Sequence, residues 1–416
     1  MRRPVALGLL AAALVAAAAP AAAPAQRIGA ADVVEHLRAL DGIARANGGN
    51  RAAGNPGEAA TVDYVAARLR EAGWNVDTPP VTFPYFAERA PPVVGALQPG
   101  RDAVTLRYSG SGDVTGRVLP LRFSGCSPRH FRGFPRGRIA MSLYGTCTFR
   151  RIAINAQRAG AAAVLFASGY VRRPPTTATM LGPGVTIPAL ALRDPPALRL
   201  ARARATVNVR VDAFVEDRTG RNVVAELPGT TGRRVVMAGG HLDSVPEGPG
   251  LNDNGSGIAA LIEIGERLAA APRPPATLRL GFWTAEELNL NGSRAYVGAL
   301  PPAERRRFAA YLNLDMVGSP NPVPEIYADH PRIRRALRRV LPRAGRTSVL
   351  AGSDHLPFRG AGIPVGGIFT GATERRRGRE RDPCYHRPCD GLANVDAAMT
   401  ARMAQAARVA LARLAR

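Results

Sequence analysis

Residues 233–243 read Arg-Arg-Val-Val-Met-Ala-Gly-Gly-His-Leu-Asp. The stretch Arg233 to Gly240, apolar after its two arginines, reads as a strand and is closed off by His241 and Asp243. A continuous run of that length suits a strand buried on both faces, as in a parallel sheet covered by helices. The loop that follows, GLNDNGSG at 250–257, leads into helical spacing from Gly257 to Ala269. Strand and helix then keep alternating. Leu278 to Trp283 reads as a strand, Ser293 to Leu300 as a helix and Tyr311 to Met316 as a strand. Pro331 to Leu341 is a helix, Val365 to Phe369 a strand and Val395 to Leu414 a closing helix. The expected fold is α/β, a doubly wound, mostly parallel sheet flanked by helices, in which sites form beyond the carboxyl ends of strands.

Upstream, Ala30 to Arg45 and Pro56 to Ala72 carry apolar residues at helical spacing, joined by the turn-rich Asn47-Gly48-Gly49-Asn50-Arg51. Asn75 to Phe83 reads as a strand. The texture changes near Ala87. From there to about Asp212 the segments are short, β-branched and punctuated by turns, as in Asp113 to Leu121, Gly137 to Leu143 and Ala205 to Val211. One helix, Arg151 to Gly160, precedes a strand at Ala163 to Phe166. This region is expected to be a β-rich domain inserted into the main one. The expected division is 1–25 signal peptide, 26–86 first part of the main domain, 87–212 insert and 213–416 the remainder.

The signal rests on three features. Met1-Arg2-Arg3 gives a positive start, Val5 to Ala19 is an apolar run, and Ala23-Pro24-Ala25 supplies a small-residue cleavage site. Alanine partitions poorly into lipid and no second run reaches a spanning length, so no stable membrane anchor is expected. The arginine pair does not distinguish twin-arginine from general export. Four cysteines in an exported chain read as two disulfides. Three pairings are possible, and the local one, Cys126 with Cys147 and Cys384 with Cys389, is expected. Zinc-type C-x-x-C spacing is absent.

The net charge of +24 invites a nucleic-acid reading, but all 56 basic residues are arginine and none is lysine. They are spread over the whole chain without a nucleic-acid motif, so a solvated basic surface is expected and no specific nucleic-acid partner.

Chemistry concentrates where the strands stop. His241 ends one strand, Asp253 stands at a helix start, Glu286-Glu287 follow the next strand, Asp315 follows another, and Tyr385-His386 lie in a late loop. Taken singly each has a plain reading: a hydrogen-bonded histidine, a helix cap, a solvated acidic pair. Together they put two imidazoles and three carboxylates at one rim of the sheet, all good zinc ligands. Two metals roughly 3.5–4 Å apart share a water and clamp the oxygens of an attack. One short carboxylate must bridge them, and another, uncoordinated, must move the proton. Glu286 suits that second role.

The blocks GGHLDSV (239–245), GLNDNGSG (250–257), WTAEELNLNGS (283–293), YLNLDMVGS (311–319) and DPCYHRPC (382–389) resemble the signature blocks of the secreted di-zinc aminopeptidase family. The likeness runs from about Asn222 to the C-terminus and includes Ala30 to Phe83. It implies that His241 and Asp315 bind one zinc, that Glu287 and His386 bind a second, and that Asp253 bridges them. It further implies Glu286 as general base, Tyr385 as donor to the developing oxyanion, and Asp243 as the group orienting the His241 ring. The substrates implied are peptide and protein N-termini with apolar first residues. A monomer is expected. The inserted segment resembles a protease-associated domain through Gly125-Cys126-Ser127, Gly145-Thr146-Cys147-Thr148-Phe149 and AQRAGAAAVLF from Ala156.

Other residues sharpen the comparison. Relatives carry an arginine before the Ser353-Asp354-His355 block, where this chain has Gly352; the resemblance puts His355 near the site without making it a ligand. His36, His130 and His330 read as surface residues. The loop Thr373 to Arg381 reads as solvated, with the capacity to overhang the site and repel basic N-termini. The rival functions are a single-zinc glutaminyl cyclase on the same fold, against which His241 speaks, and a non-catalytic peptide-binding protein, against which the complete ligand set with Glu286 speaks. A two-metal carboxypeptidase is less in keeping with the Tyr385-His386 block.

Overall fold

A computed structural model describes residues 27–143, 147–167, 181–182, 184–347 and 352–416. The expected signal peptide, 1–25, lies outside them. Helix α1 (Ala30–Ala46) starts where the Asp32 carboxylate accepts the Gly29 N–H at 2.8 Å. Helix α2 (Pro56–Glu71) starts on a proline, whose missing N–H and fixed φ suit the first turn. The expected strand at Asn75 to Phe83 is in fact two. β1 (Asn75–Asp77) and β2 (Pro80–Val94) belong to different sheets, separated at Thr78-Pro79. Pro79 has no N–H for a ladder, and its carbonyl accepts the Asn222 N–H instead.

The second sheet is built from β2, β3 (Ala103–Thr105), β4 (Gly112–Pro120), β5 (Ile139–Ser142), β6 (Ala163–Ala167), β7 (Ala189–Leu192) and β8 (Thr206–Arg221). Its strand order is β2-β8-β4-β5-β6-β7-β3. The long antiparallel pair β2 and β8 carries the chain out of the main sheet and back, Pro80 facing Arg221 and Val94 facing Val209. Helices α3 (Phe149–Arg158) and α4 (Asp194–Ala203) cover it. The Cys126–Cys147 disulfide closes here, with Cα atoms 5.8 Å apart.

The chain then builds the main layer. It comprises β9 (Val223–Leu227), β10 (Val235–His241), α5 (Gly257–Ala269), β11 (Thr277–Trp283), α6 (Asn291–Ala299), α7 (Pro302–Arg307) and β12 (Phe308–Leu314). It continues through β13 (Glu325–Ala328), α8 (Pro331–Val340), β14 (Gly345–Arg346), α9 (His355–Gly360), β15 (Val365–Phe369) and α10 (Ala397–Leu414). Strand order is β1-β9-β11-β10-β12-β15-β13-β14, and the central four, β11-β10-β12-β15, are all parallel. The sheet is therefore mixed but mostly parallel, with helices on both faces. One face packs on α1, α2, α5, α8 and α10. The other packs on α6 and α9, where Phe358 stacks on Tyr311 at 3.7 Å between ring centres. Helix α5 is buried from Gly257 to Gly265, which explains its nearly uninterrupted apolar sequence.

Candidate active site

Register brings the first residues together. β10 lies between β11 and β12, with His241 level with Trp283 and Gly239 level with Asn313. Two residues further on, His241 and Asp315 fall side by side, while Glu286 and Glu287 rise from the turn after β11. The glycines before His241 are needed for this closeness: a Cβ on Gly240 would collide with the Leu314 carbonyl. The remaining residues come from loops. Asp253 sits in the irregular turn Leu251–Ser256 that enters α5, and Tyr385-His386 follow the Arg-rich hairpin of 375–380.

Two groups of donors meet at Asp253. His241 Nε2 lies 3.2 Å from Asp253 Oδ1 and 3.5 Å from Asp315 Oδ1; His386 Nε2 lies 3.2 Å from Asp253 Oδ2 and 3.1 Å from Glu287 Oε1. Ligands arranged tetrahedrally about an ion at zinc distances of about 2.0–2.1 Å stand ~3.3 Å apart. The Asp315 Oδ1 atom is buried without a hydrogen-bond partner, as an oxygen reserved for an ion would be. The residues present therefore fit metal ions, one in each group.

The supports are as informative as the donors. His241 Nδ1 faces the main-chain oxygen of Asp243 at 2.9 Å, with the Asp243 carboxylate further away at 3.6 Å. That carboxylate instead accepts the N–H groups of Glu286 and Glu287, at 3.1 and 3.2 Å. Asp243 thus fixes the imidazole with its backbone and the acidic pair with its side chain. On the far side, Ser353 Oγ donates to Asp315 Oδ2 at 2.7 Å. Asp390 accepts the N–H groups of Asn252 and Asp253, and Asp382 accepts Asn252 Nδ2 and the Cys384 N–H. These two buried carboxylates tie the 250s turn to the 380s loop. The Cys384–Cys389 disulfide flanks the loop, its Cα atoms 5.3 Å apart.

Sequence reasoning saw Arg51 only as part of a turn. It is fully buried beneath the site and donates to the carbonyls of Leu242, Pro249 and Gly250. Burial pushes its guanidinium down to about 10, against the pull of Asp243 and Asp390. Backbone strain gathers in the same place. Ala285, Asn289, Leu290, Met316 and His386 all have positive φ, a conformation that costs a non-glycine residue about 1–3 kcal/mol and persists where surroundings enforce it.

The electrostatics separate the roles. Burial, then the charge of Glu287, holds the Glu286 carboxyl well above the usual range, opposed by His241. Burial resists the imidazolium of His241, yet Glu286 and Asp315 outweigh it and raise its basicity; Glu287 and Asp253 do the same for His386. Burial resists ionisation of Asp253, yet bonds from His241 and His386 hold its carboxyl below the usual range. Burial and then Asp253 keep the Tyr385 hydroxyl protonated far beyond its ordinary range.

All seven sequence-predicted site residues line one cavity of about 340 Å³. Met316, Leu356 and Gly352 form part of its wall, and so do Arg107, Asn289 and Arg294. The loop 373–381 contributes nothing to that lining; Arg381 turns away and pairs with Glu325 at 2.9 Å. His355 is buried against the Tyr327 ring, and burial pushes its imidazole down to about 4. His36 is not a surface residue. It is fully buried between the Tyr64 hydroxyl at 2.6 Å and Glu263 at 3.1 Å, because the polar face of α1 packs on α2 and α5. His330 is exposed and caps α8.

Comparison with known proteins follows the same division. The model of peptidase family M28 matches residues 222–411, and that of the PA domain matches 114–199. An aminopeptidase of Pseudomonas aeruginosa is 36% identical over 422 residues, covering 88% of this chain and 77% of the relative. Among solved structures, an aminopeptidase from Aneurinibacillus sp. strain AM-1 superposes with a TM-score of 0.81 at 24% identity, covering 94% of this chain and 95% of that one. A zinc aminopeptidase from Bacillus subtilis superposes at 0.71 and 22% identity, covering 92% and 94%. Those superpositions show that the fold is shared over more than nine tenths of the chain.

Proposed function

The chain belongs to peptidase family M28, and on that premise we propose that it is a secreted zinc aminopeptidase that holds two zinc ions and removes apolar N-terminal residues from peptides. The observation that carries this reading is the meeting of two donor groups, His241 with Asp315 and Glu287 with His386, on the two oxygens of Asp253. His241 and Asp315 would hold one ion, Glu287 and His386 the other, with Asp253 between them. When bound, the ions supply an acidified water and a polarised scissile carbonyl.

The chain's own residues do the rest. Glu286 belongs to neither pair and lies at the cavity wall, where its carboxylate can take a proton from the attacking water and return it to the leaving amine. Tyr385, kept protonated by burial, donates its hydroxyl to the oxygen that gains charge. Met316 and Leu356 offer the apolar first side chain a wall that water does not favour. The free α-amino group, attracted by the carboxylates around it, would confine cleavage to the chain end. Secretion is supported by the signal pattern of residues 1–25 and by two disulfides, which suit an oxidising compartment. The complete donor set comes from one chain, in keeping with action as a monomer.

The test is hydrolysis of leucine p-nitroanilide beside its N-acetylated form by the signal-free protein, with metal content measured on the same sample. Cleavage of the free-amine substrate alone, lost on chelation and restored by two zinc equivalents, is the expected result. Cleavage of the blocked substrate, or full activity with one ion per chain, would overturn the reading.

A further inference from the structure

Arg107 comes from the second sheet, two residues beyond β3, yet it lines the same cavity as His241, Glu286 and His386. It is only 7% exposed. Its Nη1 donates to the main-chain oxygen of Glu287 at 2.7 Å, and among the described residues no carboxylate pairs with it. A guanidinium has five N–H donors, so most of this one remains for whatever fills the cavity. Arg294, exposed on the first turn of α6, lines the cavity too, its Nη2 resting 3.3 Å from Asn289 Oδ1. Both arginines are therefore anchored to the turn that carries Glu286 and Glu287. A cation buried without a counter-ion in contact, as Arg107 is, is costly, and Arg294 opens on the same cavity from its exposed side. The occupant that suits both is an anion.

We propose that Arg107 and Arg294 form a carboxylate subsite for the residue that follows the scissile bond, so that the inserted domain reads the leaving end of short peptides. The inference rests on the aminopeptidase reading with Glu286 as its base. The substrate's amino group is repelled by guanidinium and belongs with the carboxylates. The first side chain has the apolar wall of Met316 and Leu356. The leaving amine must reach Glu286, which places the following residue against the 286–294 turn where the arginines stand. A cavity of about 340 Å³ lies at the small end of ligand sites, of a size for a dipeptide. The nearest anion is then the terminal carboxylate of a dipeptide or an acidic side chain at its second position, and planar guanidinium is suited to hold either in a two-bond clasp.

The experiment compares kcat/KM for leucyl-glycine, leucyl-glycinamide and leucyl-aspartic α-amide. The expected result is about a tenfold advantage for a carboxylate-bearing substrate over the glycinamide at low salt, the size of one charge-assisted contact. Which substrate gains identifies the terminal or the side-chain carboxylate. The advantage falls toward unity in Arg107→Ala and Arg294→Gln and survives in part in Arg107→Lys, which keeps the charge and a single donor. Arg335→Gln, on the exposed side of α8, retains it in full. Equal rates on all three substrates, or an advantage unchanged in both arginine variants, would overturn the subsite and leave Arg107 a structural tie. A preference for glutamyl over glutaminyl p-nitroanilide that depends on Arg107 would move the arginines to the first residue and overturn it as well. Absence of any leucine p-nitroanilide hydrolysis is a different failure: it removes the catalytic reading and the subsite with it.

Discussion

Two regions supply the site, and they place their residues by different physics. At the sheet rim, His241, Glu286, Glu287 and Asp315 stand on or just beyond three adjacent parallel strands, where ladder register decides what faces what. In the late loop, Tyr385 and His386 belong to no ladder. They are held by the Cys384–Cys389 bridge and by Asp382 and Asp390, which reach across to Asn252 and Asp253. A rim residue moves only if the sheet moves, whereas a loop residue moves when one local fastening fails. Rim variants should therefore separate chemistry from folding cleanly, and loop variants should show how much of the activity is positioning.

The largest effect is expected at the rim. Glu286→Gln keeps the shape and both backbone bonds to Asp243 while removing the base, and kcat should fall about a thousandfold with little change in KM. Its thermal midpoint should hold or rise, because a buried carboxyl beside Glu287 is relieved. A loss of tenfold or less would assign proton transfer to another group and make the rim a scaffold only.

Next comes the floor beneath the rim. Arg51→Leu leaves the carbonyls of Leu242, Pro249 and Gly250 without donors in a dry interior. Each orphaned acceptor costs about 1–3 kcal/mol, so a destabilisation of about 3–4 kcal/mol is expected by denaturant titration. Metal affinity should weaken in parallel, since Leu242 follows His241 and Gly250 opens the turn that carries Asp253, both proposed here to hold metal. A stable variant with unchanged metal binding would mean that the turn needs no support from below.

These contrasts also mark what could be read from sequence. The doubly wound sheet was legible because its strands are continuous apolar runs that stop at chemistry-bearing residues, and those stops put His241, Glu286, Glu287 and Asp315 at one rim. His386 was legible only through the block around it, since a loop offers no periodicity. The break at Thr78-Pro79 escaped an alternation pattern that runs on across it, and the sheet to which each half belongs is a tertiary matter. Arg107 carries no local signal at all: its sequence neighbours are a strand end and a turn, and its role arises from where the second sheet meets the turn after β11. His36 misled for the opposite reason, as a polar residue on an amphipathic helix whose partners, Tyr64 and Glu263, lie far away in sequence.

The junction of the two sheets gives a smaller, pH-dependent effect. Glu58 is buried at the start of α2, where it accepts the Gly54 N–H at 2.8 Å and contacts the Thr284 hydroxyl. Burial, and next the charge of Asp243, pushes its carboxyl up to about 8, opposed by Arg221; Arg51 is the other cation within reach. The folded chain therefore keeps a proton that the unfolded chain releases near 4.5. With more protons bound in the native state, this group's contribution to stability falls as pH rises from about 4.5 to about 8 and is flat below that window. Each pH unit across the window removes at most about 1.4 kcal/mol. Glu58→Gln should flatten that part of the stability profile, and a profile identical to the native one would show that Glu58 ionises as readily folded as unfolded.

The smallest effect tests the loop against the insert, because each holds one disulfide. Cys384 and Cys389 are five residues apart, and closing so short a loop removes little chain entropy, about 2 kcal/mol in the usual model. Cys126 and Cys147 are 21 apart and belong to the second sheet, away from the donors. Replacing the first pair with serine should lower kcat/KM about tenfold by loosening Tyr385 and His386, while the thermal midpoint drops only a few degrees. Replacing the second pair should cost more stability and leave kcat on leucine p-nitroanilide close to native. The opposite pattern, activity lost with the insert's bridge and kept without the loop's, would mean that the late loop is positioned by Asp382 and Asp390 alone. The contrast between register and fastening would then rest on two buried carboxylates, and Asp390→Asn would become the variant that separates them.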